Sequence, residues 1–208
     1  MAEKLSCDSF TEEKGRGFIL NKVRNNQLNG KFVEKVIYED KILSLYGEEN
    51  IIERVEYKIT EFLLNADSYP IAVIVNPPRT LKPFANALIR NLGFGTSIEE
   101  IIIEPFRWVE EIMHEQLITI NQIDVSQIQV SEYALAKMQI ASSKDLFNYY
   151  KTELLPQKTR IDRLSASIST HDYSGKFKLF RNGTAYIEVK HEREFSTLLY
   201  NALIKAIE

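Results

Sequence analysis

The chain has 208 residues, a formal net charge of −3 and a sequence pI of about 5.8. This acidic balance argues against bulk attraction to nucleic-acid phosphates, and no stretch approaches the ~20 apolar residues of a membrane span. The single cysteine, Cys7, cannot form an internal disulfide, and the polar N-terminus lacks the apolar core of a signal peptide. We therefore expect a cytoplasmic globular protein that needs no disulfide and no membrane.

The first half of the chain alternates apolar and polar residues over several short runs, which is typical of strands that bury one face. We expect a flexible tail over residues 1–15 and a first α+β half over residues 16–97. A hairpin turn is predicted at Glu39-Asp40, and a helix over residues 81–92. The predicted strands of this half cover residues 17–23, 33–38, 41–45, 50–64 and 71–75.

A second α+β half is predicted over residues 98–208, and we expect it to form one continuous globular unit with the first. Pro105 opens a helix that runs to about residue 115, with Trp108 half-buried on it. Ser142 is placed to cap a second, short helix. The predicted strands of this half cover residues 98–103, residues 117–140 with a break near 131–132, and residues 159–169.

The C-terminal residues predict a hairpin followed by a helix. Asn182-Gly183 is a turn signal, and a three-residue loop with Gly183 as a left-handed bulge gives the register that keeps one face apolar. That face has five side chains: Phe177, Leu179, Ala185, Ile187 and Val189. The helix carries an apolar stripe at helical spacing, which we expect to cover this face. The stripe consists of Phe195, Leu198, Leu199, Ala202, Leu203 and Ala206.

Two short matches in the same order suggest an internal duplication. Residues 52–55 resemble residues 161–164, and residues 86–90 resemble residues 201–205. Two such halves joined edge to edge would give an α+β fold with one curved, mainly antiparallel sheet and helices on one face. That architecture is similar to the saddle of the TATA-binding-protein-like fold, and an architectural likeness carries no function with it.

One constellation points to catalysis as an alternative. Asp172 precedes Glu188 and Lys190, and this order is similar to the PD-(D/E)xK pattern of metal-dependent nucleases. In such a site the two carboxylates hold Mg²⁺ and the lysine positions or activates a water molecule. The competing interpretation is structural, because the hairpin register places Lys176 opposite Glu188 as a cross-strand ion pair.

The preferred function is that of a non-enzymatic protein-binding or adaptor module, which needs no cofactor. An antiparallel sheet can leave one face outside the core, and aromatic residues on such a face favour a protein partner or a second copy of the chain. Nucleic-acid binding through basic patches is a further alternative. The candidate binding residues are Tyr57, Lys176, Lys178, Phe180 and Tyr186.

Overall fold

The computed structural model describes residues 1–24, 26–43, 45–46, 49–93, 95–157 and 159–207, with only the backbone of residues 22–24 and 67. The chain divides into two compact units, Met1–Ile98 and Glu99–Glu208. The strands form two antiparallel sheets, one of four strands and one of five, and together with the helices they confirm the predicted α+β class. Among the described residues, no helix has the length and apolarity that crossing a bilayer requires.

The first unit contains a four-stranded antiparallel sheet in the order β1-β2-β3-β4. Its strands are β1 (Arg16–Arg24), β2 (Gln27–Leu43), β3 (Glu49–Asn65) and β4 (Ala72–Val75). A 3₁₀ turn, Ala66–Ser68, joins β3 to β4. Helix α1 (Ala2–Ser6) precedes the sheet and helix α2 (Lys82–Leu92) follows it.

Four phenylalanine rings form the centre of the first core. Phe18, Phe32, Phe62 and Phe84 are each at most 5% exposed, and neighbouring ring centroids lie 5.1–6.4 Å apart. Leu5 of α1 is fully buried in the same cluster. The segment over residues 1–15, for which the sequence predicts a flexible tail, thus contributes an apolar side chain to this core.

The hairpin turn predicted at Glu39-Asp40 does not form. Strand β2 runs through both residues and pairs with β3 without interruption from Gln27 opposite Asn65 to Leu43 opposite Glu49. Neither residue is a glycine or proline that would end a strand, and the apolar alternation continues on both sides. The result is one hairpin with two 17-residue strands.

The second unit contains a five-stranded antiparallel sheet in the order β6-β5-β7-β8-β9. The strands are β5 (Ile118–Ser131), β6 (Ala134–Ala141), β7 (Arg160–Ser169), β8 (Ser174–Phe180) and β9 (Ala185–Val189). Helices α3 (Pro105–Met113), α4 (Phe147–Tyr149) and α5 (Glu192–Ile207) complete the unit. Helix α4 continues as a π turn and a 3₁₀ turn, Tyr150–Leu154 and Leu155–Gln157.

The predicted strand over residues 98–103 does not form. This segment has no ladder partner among the described residues, although the backbone N–H of Ile103 donates to the carbonyl oxygen of Arg181 at 2.8 Å. Trp108 is also not half-buried, since only 2% of it is exposed. Its indole N–H donates to the carbonyl oxygen of Leu199 on α5 at 2.9 Å, which is how a polar ring nitrogen is accommodated in a core.

The C-terminal hairpin and helix form as predicted. Phe177 lies opposite Ile187 and Leu179 opposite Ala185, so the apolar face has the expected register. Gly183 adopts φ +74° in the bulge, where a residue with a Cβ is disfavoured. The stripe of α5 packs into the core with that face, and only Leu198 remains partly buried at its margin.

The structure does not show the internal duplication. Strand β4 pairs directly with β3, whereas its supposed equivalent β9 is separated from β7 by β8. The matched side chains also differ in environment: Val55 is 46% exposed and Leu164 is fully buried. The sequence predicts one continuous sheet, and the described strands form two. Both sequence matches are explained by amphipathic strands and helices that share a period.

Candidate protein-binding surface

Strands β2 and β3 continue beyond their neighbours as a two-stranded arm. Strand β1 pairs with β2 only up to Glu34, and β4 pairs with β3 only from Glu61 onward. We define the arm as residues 35–43 and 49–60. In the part of the chain that the structure describes, these two segments pair only with each other, or with the base of the same hairpin.

One face of the arm is apolar and open to solvent. Directly opposed residues of an antiparallel pair share a face, so the register places six apolar side chains together. Their exposed fractions range from 44% for Tyr57 to 70% for Leu43. We call this set the apolar arm face: Ile37, Leu43, Ile51, Val55, Tyr57 and Ile59. A cluster of exposed apolar side chains is typical of an interaction site.

Two acidic side chains interrupt the apolar arm face. Glu39 lies directly opposite Glu53, and like charges in that position destabilise a strand pair. No cation among the described residues lies within 4.0 Å of either carboxylate. Further along the face, Lys41 and Glu49 form an exposed ion pair at 3.6 Å. The arm therefore presents a pair of unmatched carboxylates between apolar side chains.

The opposite face of the arm is more polar and internally matched. The Arg54 guanidinium lies 4.9 Å from the centroid of the Tyr38 ring, and its Nε lies 3.8 Å from a carboxylate oxygen of Asp40. The Lys58 ammonium is 6.0 Å from the same ring centroid. These cation–π contacts order the basic side chains along the arm.

A polar network fixes the base of the arm to the N-terminal segment. Lys35 Nζ lies 2.9 Å from Glu12 Oε2, and the Tyr57 hydroxyl donates to the same carboxylate at 3.0 Å. These contacts, with that of Lys35 the largest, lower the pKa of Glu12 below its ordinary value. The accepting Glu12 carboxylate in turn raises the pKa of both Lys35 and Tyr57. Tyr57, a predicted binding residue, is thus also a structural anchor.

The other four predicted binding residues share the outer face of the second sheet. Lys178 lies opposite Tyr186, and the ring centroids of Tyr186 and Phe180 are 5.4 Å apart. Tyr186 is 61% exposed. Lys176 lies opposite Glu188 as expected, although no ion pair within 4.0 Å joins them among the described contacts. Tyr57 belongs to the other unit.

Two of the three residues of the nuclease pattern line one depression, and the third lies on the outer sheet face. Asp172 lies in the bend between β7 and β8, and Lys190 follows the end of β9. Both line a shallow depression, together with His171, Tyr173, His191 and Glu194. Glu188 does not line it, because this residue points to the outer sheet face opposite Lys176. No group of three or more His, Cys, Asp or Glu side chains in the described part of the chain could hold a metal ion.

The strongest electrostatic perturbation lies at the start of α3, and the sequence pattern did not indicate it. Burial raises the pKa of Glu104 to about 7, although the Arg181 guanidinium, 3.2 Å away, opposes the shift. One Glu104 carboxylate oxygen is buried without a hydrogen-bond partner. Burial also raises the pKa of Tyr150 to about 12, and its ring stacks on Phe106 with a centroid distance of 3.4 Å. The sequence feature that could have indicated this site is a charged residue, Glu104, directly before the proline that begins α3.

Comparison with models of protein families finds no match to this chain, and comparison with curated proteins finds none either. Support for a function therefore comes from the geometry of the exposed surfaces.

Proposed function

We propose that this chain is a non-enzymatic protein-binding module and that its β2–β3 arm is the docking element. The apolar arm face carries the proposal. Every residue from Glu49 to Ile59 is exposed, although the alternation of apolar residues there is that of a buried strand. Apolar burial contributes roughly 25 cal/mol per Å², so covering this face would be strongly favourable.

The chemistry of the arm also indicates the kind of partner. Glu39 and Glu53 face each other with no cation of the described residues within 4.0 Å, and Ile37 with Val55 and Ile51 flank them on the same face. A protein surface with apolar side chains around a lysine or arginine would bury the apolar residues and neutralise the carboxylates. A charge-assisted hydrogen bond formed in such surroundings is stronger than an exposed ion pair.

The two alternatives have weaker support. The nuclease would need Glu188 beside Asp172 and Lys190, and Glu188 lies outside the depression that the other two line. The nucleic-acid alternative would use Lys176, Lys178 and the Tyr186 ring on the outer face of the second sheet. Base stacking on an exposed aromatic ring beside lysines is a known mode of single-strand binding. The net charge of −3 opposes it, and a salt titration separates it from protein binding.

Quantitative affinity capture tests the proposal. Tagged wild-type chain is compared with an Ile37→Asp/Leu43→Asp variant, which places charge on the apolar arm face without touching a core. The matched control is Val130→Asp/Leu135→Asp, where two apolar residues of the β5–β6 hairpin are 63% and 68% exposed. We expect a protein captured by the wild type and the control, and lost at least about tenfold with the arm variant, which corresponds to 1.4 kcal/mol.

Identical captured proteins in identical amounts for wild type and arm variant would contradict the proposal. Steeply salt-dependent binding of an oligonucleotide by the chain, abolished by Tyr186→Ala, would favour the nucleic-acid alternative. Mg²⁺-dependent cleavage of DNA or RNA, abolished by Glu188→Ala, would favour the nuclease.

A further inference from the structure

The outer edge of β3 is a second surface of the arm, distinct from the apolar arm face. Strand β4 covers this edge only from Glu61 to Leu64, so residues 50–60 present backbone N–H and C=O groups that no described strand pairs. A long exposed edge of this kind is a template for another strand. The open edge runs from Glu49 to Thr60, and Val55 lies beside its midpoint.

Symmetry restricts how a second copy can pair with this edge. Two identical edges that pair antiparallel are related by a twofold axis perpendicular to the sheet, which keeps the same face of both copies on the same side. An axis at Val55 places each residue opposite the one that lies equally far on the other side of Val55. It also brings the two open edges into overlap from Asn50 to Thr60.

The side chains on the apolar side are complementary in this register. Val55 lies opposite Val55 of the second copy, and Ile51 lies opposite Ile59 at both ends of the pairing. Glu53, which has no cationic partner within 4.0 Å among the described residues, lies opposite the ring of Tyr57, whose hydroxyl already donates to Glu12. Apolar pairs in directly opposed positions are contacts that stabilise strand pairing.

The polar side is complementary as well. Arg54 lies opposite Glu56 of the second copy, and the symmetry produces this pair of opposite charges twice. Ile52 lies opposite Lys58, whose alkyl chain can pack on an apolar neighbour. All four of these residues are exposed in the single chain, so none has to leave a core to make the contact.

The neighbouring registers that symmetry allows are unfavourable. An axis at Arg54 places two arginines opposite each other, and an axis at Glu56 places two glutamates opposite each other and Arg54 opposite Lys58. An axis at Tyr57 extends the overlap to Glu61, where β4 already occupies the edge and Glu53 would face a like charge. Like charges in directly opposed positions destabilise a strand pair.

We propose that a second copy of this chain pairs with the β3 edge, antiparallel and with Val55 at the twofold axis. The pairing joins the two arms into a four-stranded ribbon and places their apolar arm faces side by side. It goes beyond the proposed function, because the edge binds an identical chain while the face remains open to the protein partner.

Charge exchange between the two copies tests this register. Arg54→Glu places a carboxylate opposite Glu56 twice, and Glu56→Arg places a guanidinium opposite Arg54 twice. We expect sedimentation equilibrium to show a wild-type dimer and at least about tenfold weaker association for each variant alone. A 1:1 mixture of the two variants restores the opposite charges at both positions, so it should dimerise with nearly wild-type affinity.

A cross-link provides a second measurement. In a Cys7→Ser background, Val55→Cys places two thiols on strands whose Cα atoms are about 4.5–5.5 Å apart, which permits a disulfide. Ile51→Cys is the matched control, because its two copies would be roughly 27 Å apart at ~3.4 Å per residue. Oxidation should therefore cross-link the first variant and leave the second without an intermolecular disulfide.

A strictly monomeric wild type overturns the dimer, as does a dimer that both charge variants leave unchanged or that the mixture fails to restore. The Ile37→Asp/Leu43→Asp variant alters β2 and leaves the β3 edge intact. A monomer that still captures a protein through Ile37 and Leu43 would end the dimer proposal and keep the proposed function. A dimer that captures no protein through Ile37 and Leu43 would keep the dimer proposal and end the proposed function.

Discussion

Two strands of similar sequence have opposite environments in this molecule. Residues 52–59 of β3 and 161–168 of β7 place isoleucine, valine or leucine at matching positions. Ile52 and Ile59, which lie on opposite faces of the arm, are 51% and 44% exposed, whereas Ile161 and Ile168 are 1% and 2% exposed in the second core. The alternation predicts a strand with one apolar face in both cases. It does not predict whether anything covers that face, and in the arm the described chain leaves every residue from Glu49 to Ile59 exposed.

Truncating the matched isoleucines gives the largest expected difference. Ile161→Ala leaves a cavity in the second core and should lower the free energy of unfolding by about 2–5 kcal/mol. Ile52→Ala removes an exposed side chain and should cost less than about 1 kcal/mol. Chemical denaturation followed by far-UV circular dichroism covers both units, and the single tryptophan, Trp108, reports on the second unit. Equal losses for the two variants would mean that the arm is buried.

The stability of the second unit should also depend on pH, through the buried carboxyl group of Glu104. In the unfolded chain Glu104 ionises near 4.5, and in the folded chain burial raises this pKa to about 7. Between these values the folded state binds more protons, so the free energy of unfolding falls as pH rises from about 4.5 to about 7. The full shift is reduced because 32% of the side chain is exposed, which leaves an expected loss of about 1–3 kcal/mol.

Glu104→Gln removes this titration. Denaturation monitored by Trp108 fluorescence at a series of pH values should show a flatter profile for the variant, and greater stability than the wild type near pH 8. Parallel profiles for the two proteins would contradict the assignment of the slope to Glu104.

The outer face of the second sheet should behave like the arm. Glu188 is exposed opposite Lys176, so Glu188→Ala should cost less than about 1 kcal/mol in a denaturant titration. Leu179→Ala on the neighbouring strand is the matched core change, since Leu179 is fully buried. A loss at Glu188 as large as the loss at Leu179 would show that this outer face is covered.

The smallest expected effect is at the base of the arm. Lys35 makes the largest contribution to the lowered pKa of Glu12, so Lys35→Met should move that pKa up towards its ordinary value. Carbon-detected NMR titration of the Glu12 carboxyl group measures the shift. Lys31→Met on the same strand is the control, because Lys31 pairs with Glu61 at 2.7 Å. A Glu12 pKa unchanged by Lys35→Met would contradict the assignment of the lowered pKa to the contact between Lys35 and Glu12.

Local signals predicted the C-terminal hairpin because they agreed with one another. Gly183 specified the loop, and only one register left Phe177 and Leu179 on an apolar face. Long-range contacts decided the features that the sequence did not predict. Leu5 is buried because a distant sheet lies against it, and the β2 turn was misplaced because Glu39-Asp40 resembles a turn in composition alone.

The candidate surface was predicted only in part for the same reason. The sequence predicts Tyr57 as an aromatic binding residue. Ile37 and Val55, which lie on the same exposed face, alternate with polar residues in the way that buried strand residues do, so their exposure is not predicted. Their exposure follows from the length of β2 and β3 relative to β1 and β4. Strand pairing over that distance is a tertiary property that alternation does not encode.

The central claim is that another protein covers the apolar arm face, and thiol labelling inside the cells that make this protein tests it most directly. In a Cys7→Ser background, Ile37→Cys places a thiol on the face, and Leu135→Cys places one on the exposed β5–β6 hairpin. Both thiols should react rapidly with a maleimide in dilute purified protein. In the cell we predict that the Ile37→Cys thiol reacts at least about tenfold more slowly while the Leu135→Cys thiol is unchanged, as burial under a bound partner requires. Equal labelling of the two thiols in the cell would contradict the claim.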